Sequence, residues 1–162
     1  MLTARLQLKR VEELLAEFQR DDGMMRPLAL YQTQHLAIIA MLRSVGHVLH
    51  KVDADTPARK RWLDEQWAQW KREPVFLEFI DFERNRLLKE YQGAIRPDDP
   101  AILATAAAAD ALSPGGALLL VGMDVSRLRA ADGTNLLARL RDAVAYWRRH
   151  LSEAEQAFDR LR

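Results

Sequence analysis

The sequence predicts an all-α protein, an antiparallel bundle of about four long helices plus a shorter one. Apolar residues recur at steps of three and four along several separate segments, which is the spacing of one face of an α-helix. Each of these segments also begins or ends at residues that typically start or stop a helix. With 162 residues, the chain is long enough to fill one core and short for two, so we expect a single domain, 1–162.

The first two helices are predicted over about 3–20 and about 27–52. In the first segment an Asp-Asp-Gly turn follows the apolar positions, which are Leu8, Val11, Leu15 and Phe18. The second segment opens at a proline, which fits a first helical turn. Its apolar stripe comprises Tyr31, His35, Ile38, Ile39, Leu42, Val45, Leu49 and Val52. Because this stripe is the longest in the chain, we expect the second helix to be the most buried one.

The third and fourth helices are predicted to meet at Pro74. Thr56 and Pro57 provide a cap followed by a proline at the first helical position, which predicts a helix over about 57–73. The inward stripe of this helix consists of Leu63, Trp67 and Trp70. Since proline ends or kinks a helix but is tolerated in a first turn, a fourth helix is expected over about 74–92.

A less regular segment, about 93–132, precedes the last helix. We expect a compact excursion with one small hairpin and with a short helix that begins at Asp-Pro, 99–100, and ends at Ser-Pro-Gly-Gly, 113–116. Thr134 is the predicted cap of the last helix, over about 134–160. The apolar residues of that helix are Leu137, Leu140, Val144, Trp147, Leu151, Ala154 and Phe158.

Composition excludes several classes of protein. The net charge is +1, and basic and acidic residues are interleaved, so no global charge favours nucleic acid or a membrane surface. Without cysteine, the chain has no disulfide scaffold, thiol nucleophile or thiolate metal site. The most apolar run, 36–42, is far shorter than the ~20 residues of a membrane span, and residues 1–22 contain no apolar run of signal-peptide length. We therefore expect a cytoplasmic protein with no membrane partner and no cofactor.

One segment departs from ordinary core patterning. Its residues Phe76, Ile80, Arg84 and Leu88 are four apart and fall on nearly one helix face. This arrangement directs the arginine into an apolar stripe. A cation taken out of water costs several kcal/mol, about 3 to 5 when one member of a buried pair is missing. Arg84 therefore needs a partner or a functional role.

The octet that begins at Arg84 resembles a motif of the HEPN superfamily. These are helical bundles whose ribonuclease members carry an arginine, usually a polar neighbour, and then a histidine, in the form RxxxxHxY in the toxin branch. Here Arg84 and Asn85 match the arginine and its neighbour. Tyr91 matches the tyrosine, and Lys89 stands at the position of the histidine. The resemblance implies RNA or nucleotide binding, a toxin or phage-defence setting, and a homodimer that pairs two such segments.

The lysine at position 89 is compatible with phosphate binding but not with efficient catalysis. Histidine exchanges protons near neutral pH, whereas lysine stays protonated there, so a lysine holds a phosphate but is a poor general base. We expect Arg84 and Asn85 to contact phosphate, Lys89 to add charge and Tyr91 to line the site. No residue is assigned a catalytic role, and efficient nuclease activity is not expected.

A structural role for the same residues is the alternative. Asp81 and Glu83 are carboxylates close to Arg84 that could complete ordinary ion pairs, and the i,i+3 spacing of Asp81 and Arg84 makes that pair the obvious one. With that pair formed, the segment holds helices together, and the protein is a non-catalytic scaffold or protein-interaction module. The surroundings of Arg84 distinguish the two hypotheses, because an open concavity favours a phosphate ligand and a dry, carboxylate-paired position favours scaffolding.

Two further groups of residues have structural explanations that we prefer. His47, His50 and Asp53 share helical spacing, but no second cluster with ligand spacing accompanies them, so no metal site is predicted. Aromatic residues beside basic ones also occur on base-stacking surfaces, yet Trp67 and Trp70 fit a core stripe better. The aromatic area is nevertheless generous for one small bundle, which is a second argument for a homodimer. The tryptophans concerned are Trp62, Trp67, Trp70 and Trp147.

Overall fold

The computed structural model describes residues 1–20, 26, 28–89, 96–97 and 125–161. These residues are mainly helical, which confirms the predicted all-α class. The α-helices, in chain order, are α1 (Thr3–Gln19), α2 (Leu28–Val48), α3 (Pro57–Trp70), α4 (Phe82–Lys89) and α5 (Leu136–Arg160). Shorter helical turns are the π-helical segments Leu49–Asp53 and Val75–Asp81 and the 3₁₀ turn Val125–Arg127.

Helix α1 runs antiparallel to both α2 and α5. Polar contacts along α1 meet α5 at successively earlier positions, so the two helices have opposite directions. These pairs are Arg5–Glu155, Glu12–Arg148 and Gln19–Arg141. The same holds for α2, because Gln7 bonds to Ser44 near its end, whereas Phe18 packs on Tyr31 near its start. The predicted antiparallel arrangement is confirmed for these helices.

One apolar face of each long helix lines the core. The fully buried side chains include Leu8, Val11 and Phe18 of α1, Ile38, Ile39, Leu42 and Val45 of α2, Leu63 of α3, and Leu140, Trp147 and Leu151 of α5. Burial of this apolar surface is the main contribution that favours the folded state, at about 25 cal/mol per Å². None of the helices in the described ranges is both long and apolar enough to cross a lipid bilayer.

The first turn of α1 is capped by a residue from a distant part of the chain. The N-cap residue, Leu2, has no side chain that can accept a hydrogen bond. Instead, the carboxylate of Asp53 accepts bonds from the backbone N–H groups of Thr3, at 2.7 Å, and Ala4, at 2.8 Å. Because the first N–H groups of a helix lack intrahelical partners, this carboxylate ties the end of α2 to the start of α1.

The end of α2 differs from the prediction. The sequence predicted one helix to residue 52 with Val52 on its inward stripe, but a π-helical turn, Leu49–Asp53, continues α2. A π-helix has more residues per turn than an α-helix, so the apolar spacing loses its register. Leu49 remains buried, whereas Val52 is 55% exposed. The assignment of Val52 to the core is therefore wrong.

The junction between α3 and the fourth helical segment follows the prediction. The hydroxyl of Thr56 accepts a hydrogen bond from the backbone N–H of Arg59, at 3.3 Å, and Pro57 is the first residue of α3. Pro74 then begins the next helical segment after a short turn. Val75–Asp81 and α4 form one continuous helical segment in two geometries, and this segment positions the candidate site.

Most of the predicted excursion at 93–132 lies outside the described residues, including the short helix expected between positions 99 and 116. Its two ends form a small antiparallel pair, β1 (Arg96–Pro97) with β2 (Leu128–Arg129). The cap of α5 is Asn135, whose side chain accepts from the backbone N–H of Ala138 at 2.9 Å. Thr134 was predicted for this role, but its hydroxyl donates to Asp132 instead.

Candidate functional site

The π-helical segment Val75–Asp81 determines which way Arg84 faces. A π-helical turn contains more residues than an α-helical turn, so the buried face of the segment does not follow one constant α-helical spacing. Ile80 is fully buried, and the next buried residue is Glu83. Leu88 is 42% exposed and Arg84 is half-buried. The prediction that Arg84 continues an apolar stripe into the core is therefore wrong.

Arg84 is held in place by the side chain that follows it. Its Nη1 donates to Oδ1 of Asn85 at 2.9 Å. Nδ2 of Asn85 in turn donates to Oδ2 of Asp81 at 3.3 Å. The other oxygen of Asp81, Oδ1, accepts from Nε of Arg43 in α2, also at 3.3 Å. These four side chains, which we call the Arg43–Arg84 relay, connect α2 to α4.

The carboxylate of Asp81 forms its ion pair with Arg43 and not with Arg84. The ion pair predicted from the i,i+3 spacing is therefore wrong. Among the residues that the structure describes, no carboxylate lies within ion-pair distance of Arg84, and its hydrogen-bond partner is the neutral amide of Asn85. Arginine has five N–H donors, so most of those on Arg84 are available to a ligand.

Two further basic residues lie on α4. Lys89 is exposed at the end of the helix. Arg86 places its guanidinium over the ring of Phe82, 5.7 Å from the ring centroid. Tyr91, which was predicted to line the site, lies outside the described residues. The structure thus brings Arg84 and Asn85 into contact and places Lys89 on the same short helix.

Glu83 is a buried carboxylate, and its burial was not predicted from the sequence. The residue is 2% exposed, and its Oε2 has no hydrogen-bond partner among the residues that the structure describes. Burial raises the pKa of this carboxyl, while the charge of Arg86 and a backbone hydrogen bond from Ala131 act in the opposite direction. Because Glu83 faces the core, it is not placed to meet a ligand of Arg84.

The three residues that share metal-ligand spacing in the sequence have separate partners. His47 is exposed, and Nε2 of His50 lies 2.7 Å from Oδ1 of Asp64. Asp53 caps α1, as described above. Within the described ranges, no group of three or more histidine, aspartate or glutamate side chains is arranged to hold a metal ion.

The tryptophans pack against one another inside the chain. Trp147 is fully buried and stacks on Trp67, with ring centroids 5.9 Å apart. Trp70 is 3% exposed and meets Trp62 edge-on at 6.1 Å. Trp70 and Trp147 belong to the core, and the half-buried Trp62 and Trp67 pack against it, so the four rings do not form a base-stacking surface. Tryptophan content therefore gives no argument for a homodimer.

His150 belongs to a second polar cluster that the sequence analysis missed. Its ring is 2% exposed and stacks on Trp70, with centroids 4.2 Å apart. Nε2 lies 2.9 Å from Oε1 of Glu73, and Nδ1 lies 2.9 Å from Oε2 of Glu153. Since both ring nitrogens are engaged and the ring is enclosed, this cluster fastens α5 to the turn after α3 and is not open to a ligand.

A cavity of about 490 Å³ lies between the start of α1 and the end of α5, away from the predicted site residues. Its polar lining consists of Asp53, Asp55, Arg59, Glu155 and Asp159. Asp53 caps α1, and Arg59 is bonded to Asp55 and to the backbone carbonyl of Phe158. These contacts join helix ends, so we assign the residues a structural role.

Comparison of the chain with protein-family models, with curated proteins and with solved structures finds no match. Fold and site together define a class: an all-α bundle protein with a half-buried arginine on α4 that is held by an amide. Any further assignment depends on the residues of this site and on the chemistry that they can support.

Proposed function

We propose that the face of α4 around Arg84 binds the phosphate groups of RNA or of a nucleotide. The observation that carries the proposal is the partner of Arg84, which is the neutral amide of Asn85. Within the part of the chain that the structure describes, a guanidinium held in this way has no direct counter-charge, so most of its N–H donors remain for an anion. Phosphate accepts paired hydrogen bonds from arginine, and such charge-assisted bonds are about twice as strong as neutral ones.

The charge of α4 supports the same ligand class. Arg86 and Lys89 add two positive charges to the helix that carries Arg84. Two acidic residues of this segment are engaged elsewhere, because Asp81 is paired with Arg43 and Glu83 is buried. A local excess of positive charge attracts phosphate even where the net charge of the whole chain is small.

The resemblance to the HEPN superfamily also supports this proposal. In that superfamily the arginine and its polar neighbour belong to an RNA-cleaving site, and Arg84 and Asn85 occupy those positions here. A role in a toxin or phage-defence system follows from the same resemblance. Lys89 at the position of the histidine favours binding of RNA without efficient cleavage.

A protein-interaction module is the second candidate function. The observation that favours it is a set of exposed apolar side chains on the same helical segment as Arg84. They are Leu77, 56% exposed, Phe82, 45% exposed, and Leu88, 42% exposed. Exposed apolar surface that is rimmed by polar residues marks an interaction site when it forms one contiguous patch. Under this alternative, substitution of Arg84 leaves RNA binding unchanged.

Replacing Arg84 by alanine is expected to weaken binding of single-stranded RNA about tenfold, because one charge-assisted contact to phosphate is lost. Fluorescence anisotropy with a labelled RNA at several salt concentrations measures this effect, and the salt dependence should become shallower as well. Arg61→Ala is the matched control, since Arg61 is an exposed arginine on α3 and its removal changes the net charge equally. Equal affinities for the two variants would reject the proposed site.

Purified protein is expected to show no strong ribonuclease activity, and Lys89→His is expected to raise the activity. Lysine does not exchange protons usefully near pH 7, whereas histidine does. Cleavage of a labelled RNA in the presence of a metal chelator measures both proteins. Robust cleavage by the natural sequence that Arg84→Ala abolishes would show that another residue supplies the proton transfer.

The protein is expected to form a homodimer that brings two α4 segments near each other. The HEPN resemblance implies such pairing, and the exposed Leu77 and Phe82 supply apolar area on the same segment. Light scattering at micromolar concentration gives the mass, and Phe82→Glu is expected to shift a dimer towards monomer. A natural protein that is monomeric under these conditions would exclude a composite cleft.

A further inference from the structure

We propose that Asp81 is a positioning residue for the phosphate site, which it orients through Asn85; this inference rests on the proposed function. The relay provides the geometry. Oδ2 of Asp81 accepts from Nδ2 of Asn85 at 3.3 Å, and Oδ1 of Asn85 accepts from Nη1 of Arg84 at 2.9 Å. One carboxylate therefore acts on the guanidinium without touching it.

The carboxylate fixes the direction of the Asn85 amide. A side-chain amide has a donor end and an acceptor end, and the two orientations differ only in which end faces which neighbour. With its NH₂ towards Asp81, the amide turns its oxygen towards Arg84. The reverse orientation would face two oxygens towards each other and two sets of N–H donors towards each other. Asp81 thus keeps an acceptor under Arg84 and limits the rotamers of the guanidinium.

Asp81 is itself anchored to the core by Arg43. The guanidinium of Arg43 donates to Oδ1 of Asp81 at 3.3 Å. Its carbon Cζ lies 5.4 Å from the ring centroid of Phe76 and 6.0 Å from that of Trp67. Contacts of a cation with aromatic faces restrict its position. The relay therefore connects a site on α4 to the aromatic core, which is the arrangement that preorganises a binding group.

The direction in which substitution of Asp81 changes the RNA affinity distinguishes a positioning role from an effect of charge alone. Asp81 is negative, so an effect of charge alone predicts that its removal strengthens RNA binding. A positioning role predicts the opposite for Asp81→Ala, which leaves Asn85 without an acceptor. Asp81→Asn is the partial control, because it keeps one side-chain oxygen, which can accept either from Asn85 or from Arg43 but not from both. Both variants lose the same charge.

We expect Asp81→Ala to bind single-stranded RNA about fivefold more weakly than the natural protein, and Asp81→Asn to bind with an affinity between those of the two proteins. Asn85→Ala breaks the relay without removing the pair between Asp81 and Arg43, and it should weaken binding by a similar factor. In an Arg84→Ala background, Asp81→Ala should cause no further loss, since residues that act as one unit are not additive. Circular dichroism and urea unfolding verify that each variant is folded.

The outcomes distinguish the two proposals. RNA binding that is unaffected by Arg84→Ala contradicts the proposed function and the positioning role together. If Arg84→Ala weakens binding but Asp81→Ala and Asp81→Asn both bind more tightly by the same factor, the proposed function stands and Asp81 acts only through its charge. Should Asp81→Ala fail to fold, Asn85→Ala decides, and an affinity equal to that of the natural protein overturns the positioning role.

Discussion

Replacing Gly46 by alanine is expected to destabilise the protein by about 3 kcal/mol, the upper end of the usual cost of overpacking a core. Gly46 is a buried residue of α2. A Cβ atom at this position would lie 2.6 Å from Cη2 of Trp147 and closer still to Cη2 of Trp67. Both distances from the added Cβ are much shorter than a van der Waals contact. The two ring atoms belong to rigid indole rings that stack on each other, so neither ring can easily move away.

The sign of the effect at Gly46 is informative. In the middle of a helix, alanine is normally favoured over glycine by about 1 kcal/mol, so open space would make the substitution stabilising. Urea unfolding monitored by tryptophan fluorescence measures the free energy of unfolding, and a decrease of about 10 °C in Tm should accompany the loss. His47→Ala, at the exposed neighbouring position, is the control and should change stability by less than about 0.5 kcal/mol. Stabilisation by Gly46→Ala would contradict the packing of the two tryptophans on α2.

The long helices were predictable because each keeps one periodic pattern. In α1, Leu8, Val11, Leu15 and Phe18 are all buried, as the spacing of three and four requires. The π-helical turns were not predictable in this way, since π-helical geometry depends on tertiary packing and has no strong local signature. For this reason Val52 was assigned to the core and Arg84 to an apolar stripe, although the identities of the surrounding helices were correct.

The candidate site was partly predictable for a related reason. The contact between Arg84 and Asn85 joins adjacent residues, so the sequence can suggest it. The partner of Asp81 could not be inferred from local spacing, because Arg43 precedes it by 38 residues and comes from α2. Local i,i+3 spacing therefore predicted Arg84 as the partner of Asp81, whereas in the folded chain the partner is Arg43, which is distant in sequence. Contacts between helices determine which charges in this segment are compensated.

The apolar pattern of α2 predicted that His35 is buried, but it could not predict whether the imidazole has a hydrogen-bond partner. His35 is fully buried in α2, and among the described residues neither ring nitrogen has a hydrogen-bond partner. Burial lowers its pKa from 6.5 to about 4. Such a side chain stays neutral in the folded protein over a pH range in which the unfolded chain takes up a proton. The fold therefore contains a source of acid sensitivity.

We expect the natural protein to lose about 3 kcal/mol of stability through His35 as the pH falls from 7 to 4. Above pH 6.5 the residue is neutral in both states and contributes no pH dependence. Between pH 6.5 and about 4 the unfolded state binds the additional proton, so unfolding becomes more favourable with each step in pH. Below that range both states are protonated and the loss is complete.

His35→Leu is expected to remove this part of the pH dependence. Leucine has a similar volume and no polar atoms, and replacing an unpaired buried polar group by an apolar one is nearly neutral or stabilising at pH 7. Urea unfolding of both proteins at pH 7, 5.5 and 4 gives the comparison, in which the other titrating groups contribute equally and cancel. His47→Leu, at an exposed histidine of the same helix, should retain the natural pH dependence. A stability difference between His35→Leu and the natural protein that stays constant from pH 7 to 4 would mean that His35 has access to water or to a partner, because only an enclosed and unpaired imidazole resists protonation in this way.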